Sequence, residues 1–306
     1  VCFIFLVFAS GLGGFYLGGL AGDSGVLNLP IGQRGTVILP IDLWMPEAFS
    51  FFSIHNSPHL IVSLALIILI FLFSLLAFEN YKLIYSLAAG LSALFLFQFH
   101  PYHLPTIFGV LGVFIFLSIF KEKRLNFNYL KHYFILLLFS LPPAIYHFWT
   151  IQNFWVRKIQ FLQNITLSPS LPMVLFGYGF LIPLSLIGIF YFLKKRERSK
   201  KDIFLLSWII VQSLLIYAPL SFQRRMVEGL QIVLIIFAVF GIFFLKNRLE
   251  ENNFFRRHFR KIFFDKIFLI YIFFVLFFSS NLIILVNDLA LYISNSPSVY
   301  LKNDVY

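Results

Sequence analysis

The sequence predicts an all-α fold: a polytopic transmembrane helix bundle of about nine spans joined by short loops. Three observations predict it. The chain of 306 residues is 60% hydrophobic and only 12% charged, with a mean hydropathy of +0.88, whereas a soluble domain is about 45–50% apolar and about 25% charged. Apolar runs close to the roughly 20 residues needed to cross a bilayer recur along the whole chain. The charge also sorts: assigning the loops alternately to two sides puts 18 of the 24 Lys and Arg on one side and 6 on the other.

The candidate spans are residues 1–20, 59–78, 83–99, 104–120, 133–148, 171–193, 203–220, 226–245 and 267–286. The first holds Gly11, Gly13, Gly14, Gly18 and Gly19, a density that suits close helix packing rather than lipid contact. It opens on Val1 inside an apolar stretch, with no basic n-region and no cleavage site, so it does not read as a signal peptide. The expectation is a C-terminal piece of a longer protein, forming a single transmembrane domain over 1–306. Cys2 is the sole cysteine and has no partner for an internal disulfide.

A long loop, 21–58, follows. Within it Met45, Ala48, Phe49 and Phe52 keep the i, i+3, i+4, i+7 spacing of one helix face. An amphipathic helix near 45–53, lying in the membrane interface with Pro46 in its first turn, is expected. Between the third and fourth runs, Gln98-Phe99-His100-Pro101-Tyr102-His103-Leu104-Pro105 places two prolines that end one helix and start the next. Its length allows either a hairpin turn or a shallow re-entrant break. A further loop, 150–170, carries Trp155, Arg157 and Lys158.

Four loops, 79–82, 121–131, 194–202 and 246–266, hold the 18 basic residues. The other side has Arg34, Arg157, Lys158, Arg224, Arg225 and Lys302. The positive-inside bias places the first set in the cytoplasm and, with an odd span count, the C-terminus outside. The net charge of +11 is thereby explained by topology, which argues against a nucleic-acid partner. An integral, multi-pass protein of a bacterial plasma membrane is expected, with membrane lipid as a partner.

The side poor in Lys and Arg is rich in other polar groups: the ionisable His55, His59, His100, His103, His147, Asp42, Glu47 and Glu228, with Gln223 among them. Such groups are costly near a bilayer and persist where they pair or line a cavity. Asp42, Glu47 and His59 together offer oxygen and imidazole ligands suited to a divalent cation such as Mg or Mn. The bland alternative is a helix-capping Asp42 and solvated neighbours. His100 and His103 read either as a polar turn or as contacts to phosphate or sugar hydroxyls. Arg224 and Arg225 run against the charge bias and precede an apolar helix. An anion there would meet two guanidinium forks, with Gln223 adjacent; pairing with Glu228 or lipid headgroups is the alternative. Arg157 reads as an interfacial anchor or a phosphate contact. Asn164-Ile165-Thr166 matches the glycosylation pattern without a supporting context.

The segments DLWMPEAFSFFSIHNSPH (42–59), FHPYH (99–103) and FQRRMVEGL (222–230), in that order among apolar helices, resemble stretches of lipid-carrier-dependent membrane glycosyltransferases of the GT-C superfamily. The resemblance implies an acidic catalytic residue in an outer loop and a polyprenyl-phosphate-linked sugar donor. It implies Asp42 and Glu47 as catalytic or metal-holding groups. His100, His103, Gln223, Arg224, Arg225 and Arg157 would then contact substrate. Competing readings are an O-antigen polymerase or ligase, a transporter, and a non-catalytic membrane subunit. A transporter needs polar groups near the bilayer midplane, and the spans offer few, such as Ser63, Ser74 and Gln212.

Overall fold

The computed structural model describes residues 2–20, 39–194, 198–251 and 278–293. Among them the ordered elements are helices and no strand occurs. By its contacts the chain divides into two compact units. One comprises 1–52, 170–189 and 237–306, and the other 53–169 and 190–236.

The unit over 53–169 and 190–236 is a helical hairpin array. It contains α4 (Pro58–Asn80), α5 (Leu83–Phe99), α6 (Leu104–Glu122), α7 (Phe127–Asn153), α8 (Trp155–Gln163) and α11 (Lys200–Leu215). Helix α4 shows why these sequences pack as they do. Its buried positions are Leu60, Ser63, Ile67, Ile70, Phe71, Ser74, Ala77 and Phe78, a three-and-four spacing that draws one stripe along the helix. Val62, Ile68, Leu69 and Leu72 on the other side are exposed. Apolar on both faces, the helix is buried on one side only, as a lipid-facing helix is. Tyr81 ends it in the left-handed region, with φ of 58°.

In α5 the buried stripe is small: Ser86, Ala89, Gly90, Ala93, then Leu96 and Phe97. Small residues let backbones approach, which is how helices associate where lipid removes the hydrophobic drive. A Cβ on Gly90 would stand 2.8 Å from the Cβ of Phe139 on α7. Helix α7 carries Pro142 and Pro143 internally, and the side chain of its N-cap Asn126 accepts from the amide of Asn128 at 3.1 Å.

Three of the basic loops meet at one end of this unit. Lys200 Nζ donates to the carbonyl of Phe78 at 3.0 Å and lies over the rings of Tyr81 and Tyr129 at 5.1 and 5.2 Å. Lys121 donates to the carbonyl of Arg198, and Lys201 comes within 4.0 Å of Glu79. Loops 79–82, 121–131 and 194–202, grouped by the charge sorting, are therefore neighbours.

The other unit contains α1 (Cys2–Phe8), α2 (Gly13–Leu20) and α9 (Leu171–Tyr178), with α13 (Ser279–Ile293) packed on α2. Helices α3 (Ser50–Asn56), α10 (Leu181–Leu193) and α12 (Leu230–Glu251) contribute residues to both units. Gly11 and Gly177 meet backbone to backbone, and a Cβ on Gly11 would overlap the carbonyl of Gly177. Gly188 and Gly241 bring α10 and α12 equally close.

The structure departs from the nine-run expectation in three ways. Among the described residues four helices are long and apolar enough to cross a membrane: Pro58–Asn80, Pro101–Glu122, Phe127–Asn153 and Gln223–Arg248. A fifth crossing arises if Leu171–Tyr178 and Leu181–Leu193 count as one. These two bend by 83° at Gly179, whose φ is +49°, so the run 171–193 is not one straight helix. Leu83–Phe99 falls just short at 17 residues. Run 1–20 is interrupted between α1 and α2. Most of run 267–286, like Arg34, Lys302 and Arg256 to Lys261, lies outside the described residues.

The amphipathic segment also differs. Met45, Ala48, Phe49 and Phe52 are all buried, between 0 and 6% exposed, as their spacing predicts. They do not share one helix. Two 3-10 turns, Ile41–Leu43 and Pro46–Ala48, lead into the short α3. Pro46 opens the second turn, where its missing amide costs nothing. Asp42 and Glu47 are buried with the apolar residues, which a helix floating in the interface would not do.

Candidate functional site

The sequence-predicted residues fall into two groups, one in each unit. In the unit that holds residue 42, the Asp42 carboxylate ties three strands of chain together. Its Oδ2 accepts the amides of Gly11 and Gly13, each at 3.0 Å, and the hydroxyl of Ser280 at 2.5 Å. Gly13 begins α2, so Asp42 caps a neighbouring helix, placing negative charge at its N-terminus. The amide of Gly14 donates to Ser280 Oγ at 2.9 Å, closing the cluster. Gly13 is needed here, because a Cβ would run into the carboxylate and would stand 2.7 Å from Leu43 Cγ. Burial raises the Asp42 pKa to about 6, and the hydrogen bond from Ser280 and the glycine amides pull it back only in part. Its Oδ1 is buried without a partner. The capping alternative read from the sequence describes this geometry, with the helix capped being α2 rather than Asp42's own.

In the other unit, six polar or aromatic side chains from three segments converge. His59 stands at the start of α4. His100, Tyr102 and His103 lie on the turn between α5 and α6, in which Pro101–His103 is a single 3-10 turn. Arg225 and Glu228 lie in and just after a 3-10 helix, Gln223–Val227, that leads into α12. The rings of His59 and His100 stack at 5.7 Å. His100 Nδ1 hydrogen-bonds the Tyr102 hydroxyl. The Arg225 guanidinium sits 4.9 Å above the Tyr102 ring, a favourable cation–π distance. His103 Nε2 and Glu228 Oε2 are 2.9 Å apart, with side chains 0% and 3% exposed.

Local chain chemistry explains how the segments are held. Pro101, inside the His100 to His103 turn, stops α5 from running on, and Pro105 sits in the first turn of α6. Gly229, at φ +92°, reverses the chain between Glu228 and α12, a conformation that only glycine adopts freely. Gln212 of α11 fixes the same corner. Its amide donates to the carbonyl of Met226 at 3.1 Å and to that of Glu228, while its oxygen accepts from Trp208 Nε1 at 2.5 Å. One of the rare polar residues inside an apolar run thus serves as a bracket for the site.

The cluster is unevenly buried: His100, His103 and Glu228 are buried, Tyr102 and Arg225 half-buried and His59 exposed. Burial pushes the His100 pKa down to about 4; Glu228 opposes this, and His103, His59 and Arg225 add to it. His100 is therefore neutral at pH 7 and offers one donor and one acceptor. The second nitrogen of His103 and the second oxygen of Glu228 are buried without hydrogen-bond partners.

The remaining predicted residues lie elsewhere. Gln223 serves the backbone: its oxygen accepts the amide of Ser168 at 3.2 Å and its nitrogen donates to Ala218 at 2.6 Å. Arg224 is half-buried, and its amide donates to the carbonyl of Thr166 at 3.0 Å. Thr166 in turn donates to Ser221 at 2.7 Å, so Asn164 to Ser168 is pinned to the approach of the 3-10 helix. Arg157 is exposed on α8. Glu47 is buried in its 3-10 turn. Among the described residues no three His, Cys, Asp or Glu side chains converge as metal ligands, and Asp42 faces hydrogen-bond donors.

Sequence reasoning missed Ser280, Tyr102 and Gln212 as partners and did not pair Glu228 with His103. Gln212 had a signal, as a polar residue in an apolar run. Glu228 was visible as an acid at a helix entrance, but its pairing with a histidine 125 residues away leaves no trace in local spacing. No family model, no curated protein and no solved structure matches the chain.

Proposed function

We propose that the chain forms part of a membrane enzyme that transfers a sugar from a polyprenyl-phosphate donor to an acceptor at the extracytoplasmic face. The observation that carries this reading is the gathering of His59, His100, Tyr102, His103, Arg225 and Glu228 at one end of an apolar helical unit. Helix α4 links this cluster, at its Pro58 end, to the basic loops at its Asn80 end. Its 23 residues rise about 1.5 Å each, so the ends stand about 35 Å apart, close to the roughly 30 Å hydrocarbon thickness. In this reading the basic end faces the cytoplasm, the cluster faces outward, and the full set of nine runs with an external C-terminus completes the topology.

The chemistry follows from residue types. Arg225, with Arg224 beside it, supplies positive charge for the departing lipid phosphate, held in place as a fixed donor. Neutral His100 donates to a phosphate or sugar oxygen. The acceptor hydroxyl needs an acidic partner, and the resemblance gives that role to Asp42 and Glu47. Alanine at Arg225 in the full-length protein should lower sugar transfer from polyprenyl-phosphate donors by at least a hundredfold, the scale of losing one charge-stabilising donor. Unchanged turnover would remove the phosphate role.

A further inference from the structure

Helix α8 carries a site separate from this cluster. Its nine residues, WVRKIQFLQ, have no buried position. Trp155, Ile159 and Leu162, at i, i+4 and i+7, form an apolar stripe that is 74%, 40% and 60% exposed. The only charges on the helix are Arg157 and Lys158, and neither side chain has a hydrogen bond or ion pair among the described residues. The helix follows directly on α7, which is long and apolar enough to cross a membrane. An amphipathic, basic helix with an exposed Trp at that position is built to lie in the bilayer interface.

Between α7 and α8 lies an open groove of about 500 Å³, lined by Tyr146, Thr150, Phe154, Val156, Arg157 and Gln160. That volume is within the roughly 300–1,000 Å³ of small-molecule sites. One wall is apolar, through Tyr146, Phe154 and Val156. The other offers Thr150, Gln160 and an uncompensated guanidinium. We infer that this groove binds the phosphate-bearing headgroup of an anionic phospholipid, with Arg157 as anchor and the Trp155 stripe seated in the acyl boundary. The occupant has to be anionic, because Arg157 and Lys158 bring positive charge and no acid lines the groove. It has to be an amphiphile, because half the lining is apolar and the stripe beside it is exposed. Guanidinium binds phosphate through two parallel hydrogen bonds. The inference does not rest on the sugar-transfer reading, since α8 contributes nothing to the histidine cluster described above.

The test reconstitutes the full chain in nanodiscs of mixed phosphatidylcholine and phosphatidylglycerol. Native mass spectrometry then reads which lipids remain bound after extraction. The wild type should retain phosphatidylglycerol over phosphatidylcholine by about tenfold, the scale of one charge-assisted interaction. Arg157→Gln should lose that preference and Arg157→Lys should keep part of it. Brominated phosphatidylglycerol should quench tryptophan fluorescence in the wild type and less in Trp155→Phe. Equal retention in the wild type and Arg157→Gln would overturn the inference. So would displacement of the lipid by inorganic phosphate at equal concentration, which would identify a free-anion site.

Discussion

The buried pair of His103 and Glu228 gives the sharpest test of how the histidine cluster is held. Removing one partner leaves the other in a site where the side chains are 0% and 3% exposed. Glu228→Leu strands the imidazole, and the cost has two sources. An unsatisfied buried group costs about 1–3 kcal/mol, and breaking a buried pair costs about 3–5 kcal/mol. The ranges meet at about 3 kcal/mol. Replacing both residues together, His103→Leu with Glu228→Leu, removes the stranded group and should cost about 1 kcal/mol or less. Glu228→Gln keeps an acceptor for the imidazole and should sit between. Equilibrium unfolding of the purified protein in mixed micelles with rising sodium dodecyl sulfate measures all four states of the cycle. The expected coupling is at least 2 kcal/mol, from single variants of about 3 kcal/mol and a mild double variant. Additivity within about 0.5 kcal/mol would show that the two side chains do not support each other and would refute the account of the corner.

Asp42 should make stability depend on pH. Folded Asp42 holds its proton up to about pH 6, whereas the ordinary value is 3.8, so the folded state is favoured while the group is protonated. Its contribution is full below pH 3.8 and is lost as pH rises to about 6, a change of about 3 kcal/mol at 1.36 kcal/mol per unit. Unfolding midpoints of the wild type and Asp42→Asn across that window check it, and parallel curves would count against the assignment. The His100 ring should titrate near pH 4 in proton NMR and show no charge change between pH 6 and 8; a midpoint near 6.5 would mean that the ring is hydrated. Gly229→Ala should destabilise by about 1–2 kcal/mol, since φ of +92° strains any side chain, and a neutral effect would show that the Glu228 corner relaxes freely.

How much of this was legible in the sequence depends on the range of each interaction. Helix α4 was visible because its apolar content is local, and its buried stripe follows from spacing alone. The burial of Met45, Ala48, Phe49 and Phe52 was visible for the same reason, although the helix expected to carry them was not formed. Hydrophobic spacing reports which side chains go inward; the 3-10 turns are imposed by Asp42 reaching Gly11, Gly13 and Ser280, up to 238 residues away. The grouping of the basic loops was visible because charge sorting is a sum over the chain. The bend at Gly179 was not, since a glycine in an apolar run looks the same whether the helix continues or turns. The partners of Arg225 and Glu228 were hidden because Tyr102 and His103 lie on a different hairpin.

Two interruptions, at residues 9–12 and at Gly179, bear on how the chain enters a bilayer. Each exposes peptide groups that lipid has no means of satisfying. The amide of Leu12, in the gap between α1 and α2, donates to the carbonyl of Phe176 in the last turn of α9 at 3.0 Å. Each gap therefore supplies part of what the other lacks. The ribosome makes them more than 160 residues apart. The earlier gap must therefore stay hydrated, or sheltered by the insertion machinery, until the later one emerges. Assembly of this unit is coupled across more than 160 residues of synthesis, and slowing synthesis between the two segments should raise the fraction of chain that is degraded before it matures.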